Sequence, residues 1–310
     1  MINDILNFLE YENIAEEKSE LRVDNGKFER YDAVKGDDTI VAVDGGCSVI
    51  VDGGTWNISK IKIASVAYKS DEKLTENVDE YTIAAMLKKK KIYFKIMPSI
   101  NINFQLSSID IEEIPNLVRS ILEWKKIKEI AESSGSGTVI LRDGAFGSNE
   151  AHEKTLISDV FETCEKHGVE LVGICKTCRI STDSGRPIVG VVNEVGSEKM
   201  PNEKWVYSDS DLTIVKFHEK SGFCYRLEAP KKDNLIKTIG VISYYSKDPE
   251  ILGYPYPLLK ADKVARVKDF EKEMENVKVK MLAKSLGKNF IETDEKSTIM
   301  HSLLDKRAYR

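Results

Sequence analysis

Two short stretches of this sequence could carry chemistry. Each is an apolar run ending in an aspartate followed by glycine: Val41-Ala42-Val43-Asp44-Gly45-Gly46 and Ile140-Leu141-Arg142-Asp143-Gly144-Ala145. A carboxylate at the end of a buried-type strand is costly to desolvate alone. It becomes reasonable where the strand end opens into a cleft and a divalent cation offsets the charge. Hard cations such as magnesium and manganese prefer such oxygen ligands. Two strands of this kind side by side would bring Asp44 and Asp143 to one metal site, at the strand ends where open α/β sheets bind ligands. The plainer alternative is that each Asp-Gly makes a turn. A third instance, Asp52-Gly53-Gly54, is read that way, as the hairpin turn after the first strand.

The elements that must position these residues follow from the pattern. Residues 39–54 and 56–70 are rich in β-branched side chains and bounded by Gly, Asp and Lys, which predicts strands in a meander. The composition turns polar between residues 72 and 81, and residues 91–104 form a third strand region. Apolar residues at 114, 117, 118, 121, 124 and 127 have helical spacing. A short buried-type strand follows at 138–146, then a helix over 150–167 and a second buried-type strand over 169–178. That strand-helix-strand order predicts a parallel pair with a crossover helix. Further on, residues 212–229 hold a hairpin signal around Glu219–Gly222, residues 234–246 read as another strand, and residues 257–286 read as one long helix. The tail from residue 288 to 310 is polar, a loose helix or a flexible end. No repeat and no linker divides the chain, so residues 1–310 read as one elaborated domain.

The totals bound the function. The 310 residues are 41% hydrophobic and 31% charged, a soluble globular composition. The net charge of −5 argues against a protein that simply coats phosphate, but an acidic metal site is compatible with it. No run is long and apolar enough for a membrane helix, and the N-terminus reads as an amphipathic helix with an acidic end, not a signal peptide. The five cysteines are odd in number and sparse, which predicts reduced thiols and a cytoplasmic location. Cys175-x-x-Cys178 has no second ligand pair at the spacing a structural zinc site needs, so core or surface thiols are the preferred reading. The four lysines at 88–91 read as a solvated turn that could touch a nucleic-acid backbone.

The ordered set VAVDGG, VILRDGAFGS, LVGICKTCR and GYPYPLLKADKVAR, running from about residue 39 to 270, resembles the NurA nucleases. The resemblance implies an α/β, ribonuclease-H-like mixed sheet flanked by helices, related to the Piwi domain, here with additional β elements and a long C-terminal helix. It also implies manganese-dependent (or magnesium-dependent) cleavage of DNA, by exonuclease or single-strand endonuclease action, in a homodimer that works with a HerA-type hexameric ATPase in DNA end resection. Carried over residue by residue, Asp44 and Asp143 match the two metal-binding aspartates, and Lys176 matches a lysine at the end of the next strand, suited to a scissile phosphate. A glutamate on the intervening helix completes the family's site; Glu123 is the choice and Glu129 the rival. Where many members carry a histidine after Ala261, this chain has Asp262, a carboxylate that could bind metal but cannot act as an imidazole.

Two other classes compete. Actin-like ATPases and sugar kinases also place Asp-Gly turns at strand ends, but their second half normally repeats the first, and no repeat is visible here. A non-catalytic adapter that docks on DNA or a translocase is the other; retained carboxylates argue against it. No Gly-x-x-x-x-Gly-Lys-Ser/Thr pattern is present, so an ATP-driven step would come from a partner.

Overall fold

Period-two alternation of apolar side chains builds the sheet that carries both aspartates. The computed structural model describes residues 23–100, 110–148, 150–182, 185–288 and 290–298. The N-terminal helix expected from the sequence, and residues 299–310 of the tail, lie outside the described residues.

The strands are β1 (Phe28–Arg30), β2 (Thr39–Asp52), β3 (Trp56–Lys69), β4 (Glu72–Lys88), β5 (Lys91–Met97), β6 (Thr138–Asp143), β7 (Glu170–Cys175), β8 (Trp205–Asp209), β9 (Leu212–Lys216) and β10 (Tyr225–Glu228). They form one ten-stranded sheet in the order β1-β8-β9-β10-β7-β6-β2-β3-β4-β5. At its centre β2, β6 and β7 are parallel; the flanking pairs are antiparallel. The helices are α1 (Ile114–Ser133), α2 (Ala151–His167), α3 (Ile188–Lys199), α4 (Leu235–Tyr244), α5 (Tyr256–Ala265), α6 (Asp269–Ser285) and α7 (Phe290–Thr298).

The two faces of the central strands bury different helices. Ile40 and Ala42, Val139 and Leu141, and Val172 and Ile174 share a core with α4 and α5. The alternate residues Val43, Ile140 and Leu171 pack against α1 and α2 on the opposite face. The crossover helix α2 is capped at its start by the Glu150 carboxylate, which accepts from the backbone N–H of His152 and Glu153, and stopped by Gly168 in the left-handed region.

Most elements lie where the sequence places them: the β2–β3 meander, the α1 helix, the β6-α2-β7 crossover and the β9–β10 hairpin strands. Asp52 ends the β2–β3 hairpin, its carboxylate accepting from the backbone N–H of Gly54. Lys89 and Lys90 both take positive φ in the tight β4–β5 turn.

Two expectations are corrected. Residues 234–246 do not form a strand. They contain α4, whose Leu235, Ile239, Val241 and Ile242 are buried round most of its circumference, so no polar face marked it as a helix. The single helix expected over 257–286 is two, α5 and α6, broken where Arg266 turns extended (φ −61°, ψ 127°). The polar stretch from residue 72, to which the sequence assigned no element, is paired throughout as β4, largely solvent-exposed on both faces near its start. No described helix is long and apolar enough to cross a membrane.

Candidate metal centre

In β2, Ile40 and Ala42 face the α4–α5 core, and the same alternation puts Asp44 on that face. Val139 and Leu141 do the same for Asp143 at the end of β6. The parallel register pairs Val43 with Arg142, so Asp44 and Asp143 come next on neighbouring strands at the same level. Asp143 in turn registers with Ile174, and Lys176 lies two residues further along. One strand parity thus delivers both carboxylates and the ammonium to one face.

Asp262 arrives on that face from α5. Its carboxylate meets those of Asp44 and Asp143, all three offering ligand atoms within 4.8 Å of one another. This is the sole cluster of three or more histidine, cysteine or acidic residues so arranged among the described residues. The cysteines are free thiols, and burial pushes that of Cys175 up, consistent with core packing.

Asp44-Gly45-Gly46 is not a turn. β2 runs straight through it, and both glycines are there for close approach. A Cβ on Gly46 would stand 2.1 Å from the carbonyl oxygen of Ala265, so the missing side chain lets the end of α5 rest on the strand beside Asp44. A Cβ on Gly45, on the other face, would stand 2.4 Å from Oε1 of Glu123. Gly144 behaves differently: at φ +117° it makes the turn after Asp143.

Glu123 therefore reaches the level of Asp44 from behind the sheet. It is fully buried and held by two guanidinium groups, Arg119 at 2.5 Å and Arg142 at 3.0 Å. Arg119 also donates to the carbonyl of Gly45 at 3.1 Å, and Arg142 donates to Ser120 Oγ and stacks on the Trp124 ring. Glu129, the rival, is exposed and paired with Lys126. Of the two glutamates, Glu123 is the one beside the strand that carries Asp44, but its carboxylate is committed to arginines and is not one of the three converging acids. Arg119 and Arg142 were not singled out from sequence. The available signal was an arginine inside a buried-type strand, which needs an acidic partner.

The electrostatics favour a cation. Burial, then the charges of Asp143 and Glu123, push the Asp44 carboxyl up to about 7. Burial also pushes Glu123 up, against the opposing pull of Arg142 and Arg119. Burial works against the Lys176 ammonium, yet its pKa is raised, because it pairs with Asp143 at 2.5 Å and Asp262 at 3.5 Å and feels Asp44. Positive charge is already drawn into the acidic cluster. Tyr254 adds a polar mismatch: its ring is buried under the Lys176 ammonium, its hydroxyl has no hydrogen-bond partner, and Asp143, Asp44 and Asp262 all act on it. Three oxygen ligands, excess negative charge and an unsatisfied hydroxyl fit a hydrated divalent cation.

A mixed α/β sheet with carboxylates converging at the ends of its parallel strands defines a ribonuclease-H-like protein with an acidic cleft. The NurA domain family matches residues 38–267, and the chain belongs to that family. No curated protein sequence matches it. The NurA nuclease from Sulfolobus solfataricus shares the fold, with a TM-score of 0.57 at 16% identity over 93% of this chain and 94% of that one. Endonuclease V from Ciona intestinalis, in complex with an inosine-containing DNA, gives 0.43 at 13% identity over 82% and 94% of the two chains. Argonaute from Aquifex aeolicus gives 0.34 at 12% identity over 74% of this chain and 28% of that one.

Proposed function

We propose that this chain is a metal-dependent DNA nuclease, hydrolysing phosphodiester bonds as an exonuclease, a single-strand endonuclease or both. The observation that carries this reading is the meeting of Asp44, Asp143 and Asp262 within 4.8 Å, beside Lys176. Family membership and the shared fold of a protein described as a nuclease support it.

Asp44 and Asp143 fix one side of the cation site from adjacent strands, and Asp262 closes it from α5. Manganese or magnesium suits such a ligand set. When bound, a divalent cation supplies Lewis-acid activation of water and offsets charge developing on the phosphate. Lys176, on a flexible stem, exchanges its carboxylate partners for a phosphate oxygen of the substrate. Glu123 is a positioning residue: with Arg119 it grips the backbone at Gly45, and so sets the direction of the Asp44 side chain.

The same reading places the protein in the cytoplasm as a homodimer, working in DNA end processing with a HerA-type hexameric ATPase that supplies the ATP-driven step. Its test is end-labelled single- and double-stranded DNA incubated with manganese, magnesium or chelator. Cleavage by the wild type in either cation, absent in chelator and in Asp44→Ala, is expected. Full manganese-dependent cleavage by Asp44→Ala would sink the assignment. DNA binding without cleavage in either metal would leave a non-catalytic adapter instead.

A further inference from the structure

Helix α6 has its polar side turned inward. Glu271 pairs with Lys62 at 2.6 Å and with Lys60 at 3.2 Å on β3, and Asn276 donates to the carbonyl of Ile50 at 2.7 Å. Lys280 pairs with Glu295 at 2.5 Å. Ala283 is the one buried residue described for the helix. Val279 and Ala283 pack inward on Ile50 and Val51, but four larger apolar side chains point the other way: Phe270, Met274, Val277 and Met281 are 72%, 41%, 55% and 69% exposed. Their 4-3-4 spacing puts them in one stripe along the helix, the repeat of a helix–helix seam. A stripe of this kind facing water calls for a partner.

The charges of α6 say which partner. Its first half carries Asp269, Glu271, Glu273 and Glu275 against Lys272 alone; its second half carries Lys278, Lys280 and Lys284 and no acid. Glu271, Glu275 and Lys280 are engaged within the chain, so the charges flanking the stripe are Glu273 on one side and Lys278 on the other. A helix acidic at one end and basic at the other complements itself when laid antiparallel on a copy. With the crossing between Glu275 and Asn276, Phe270 meets Met281 and Met274 meets Val277. Glu273, exposed beside the stripe, meets Lys278, which is also exposed and exchanges its pairing with Glu275 of its own helix, at 2.9 Å, for the copy's Glu273. A two-fold axis makes each of these contacts twice. In a parallel pair the like-charged halves would lie together.

We propose that α6 is the dimerisation helix of this protein, packing antiparallel on α6 of a second copy through Phe270, Met274, Val277 and Met281, with Glu273 and Lys278 exchanged between the chains. The proposal rests on the homodimer of the reading above, but on none of its nuclease chemistry.

Size-exclusion chromatography with light scattering, and sedimentation equilibrium, on the full chain test it. Wild type is expected to be a dimer at micromolar concentration, and Met274→Asp a monomer with an unchanged circular dichroism spectrum. Glu273→Lys and Lys278→Glu should each weaken association by roughly tenfold, and the double reversal E273K/K278E should restore it. A wild-type dimer that all of these variants leave unchanged overturns the α6 surface while the homodimer stands. A monomeric wild type overturns both. Loss in Met274→Asp with no rescue by the double reversal overturns the antiparallel pairing.

Discussion

The Lys176 ammonium lies 2.5 Å from the Asp143 carboxylate, just beyond the paired ends of β7 and β6. It is the built-in countercharge of the acidic cluster. Replacing it with the apolar Lys176→Met should lower the melting temperature in chelator, because Asp44, Asp143 and Asp262 then face one another with only the exposed Arg266, 3.4 Å from Asp262, as countercharge. Manganese should recover most of that loss. Cleavage should fall by about a hundredfold or more if the ammonium also stabilises the phosphate. Differential scanning calorimetry in chelator and in manganese, beside a DNA cleavage assay, separates the two effects. An unchanged melting temperature in chelator would show that the ion pair is not compensating the cluster.

Asp44 gives the protein a pH dependence of defined sign. Its folded carboxyl titrates at about 7, above its ordinary 3.8, so the folded state holds a proton that the unfolded chain releases. The stabilisation from the protonated form is fully present below about pH 4 and is lost as pH rises to 7. At neutral pH the penalty is at most about 4 kcal/mol. Metal-free Asp44→Asn should therefore be more stable than wild type at pH 7, and should lose less stability between pH 4 and 7. Binding of a cation requires the ionised form, so the stabilisation of wild type by manganese should grow over the same interval. Urea titrations at a series of pH values, with and without manganese, read both slopes. A destabilised Asp44→Asn in chelator would contradict the sign.

Glu123 and its arginines form a unit. Glu123→Ala leaves the buried guanidinium of Arg142 without its carboxylate, and should destabilise the fold by about 3–5 kcal/mol. Glu123→Gln keeps hydrogen-bond acceptance and should lose less. Because Glu123 is engaged by Arg119 and Arg142, the Gln variant should still gain thermal stability on adding manganese. If that gain disappears while the fold persists, Glu123 is itself a ligand.

The β2 glycines can be tested against a control. Gly46→Ala drives a methyl into the Ala265 carbonyl and should push the end of α5, and Asp262 with it, away from the strand. A stability loss of about 1–3 kcal/mol is expected, with a large fall in cation affinity measured by calorimetry. Gly135, with open space where a Cβ would go, should accept alanine with little change in either. Equal behaviour of the two variants would remove the close-approach explanation.

Much of this site was legible because strand parity is written in alternating residues. Ile40, Ala42, Asp44 and Val139, Leu141, Asp143 follow one rule, and it holds without knowledge of the helices. What lay beyond the sequence came from tertiary packing. α4 is apolar on nearly every side, and its β-branched residues read as a strand, since periodicity vanishes when a helix is buried all round. The break between α5 and α6 carries no Pro or Gly; it is fixed by Glu271 reaching Lys62 and Lys60, contacts between distant segments. Asp-Gly-Gly read equally well as a turn, and the carbonyl of Ala265 that explains it comes from the other end of the sequence. The Arg119–Glu123 spacing of four residues was visible, but the role of Arg142 depends on which face of α1 lies over β6.

The acidic cluster draws Asp44 from the second strand and Asp262 from a helix near the end of the chain. During synthesis the first two aspartates leave the ribosome long before the third. The cluster stays incomplete until translation has passed α5, so a nascent or truncated polypeptide holds two of its carboxylates without the third.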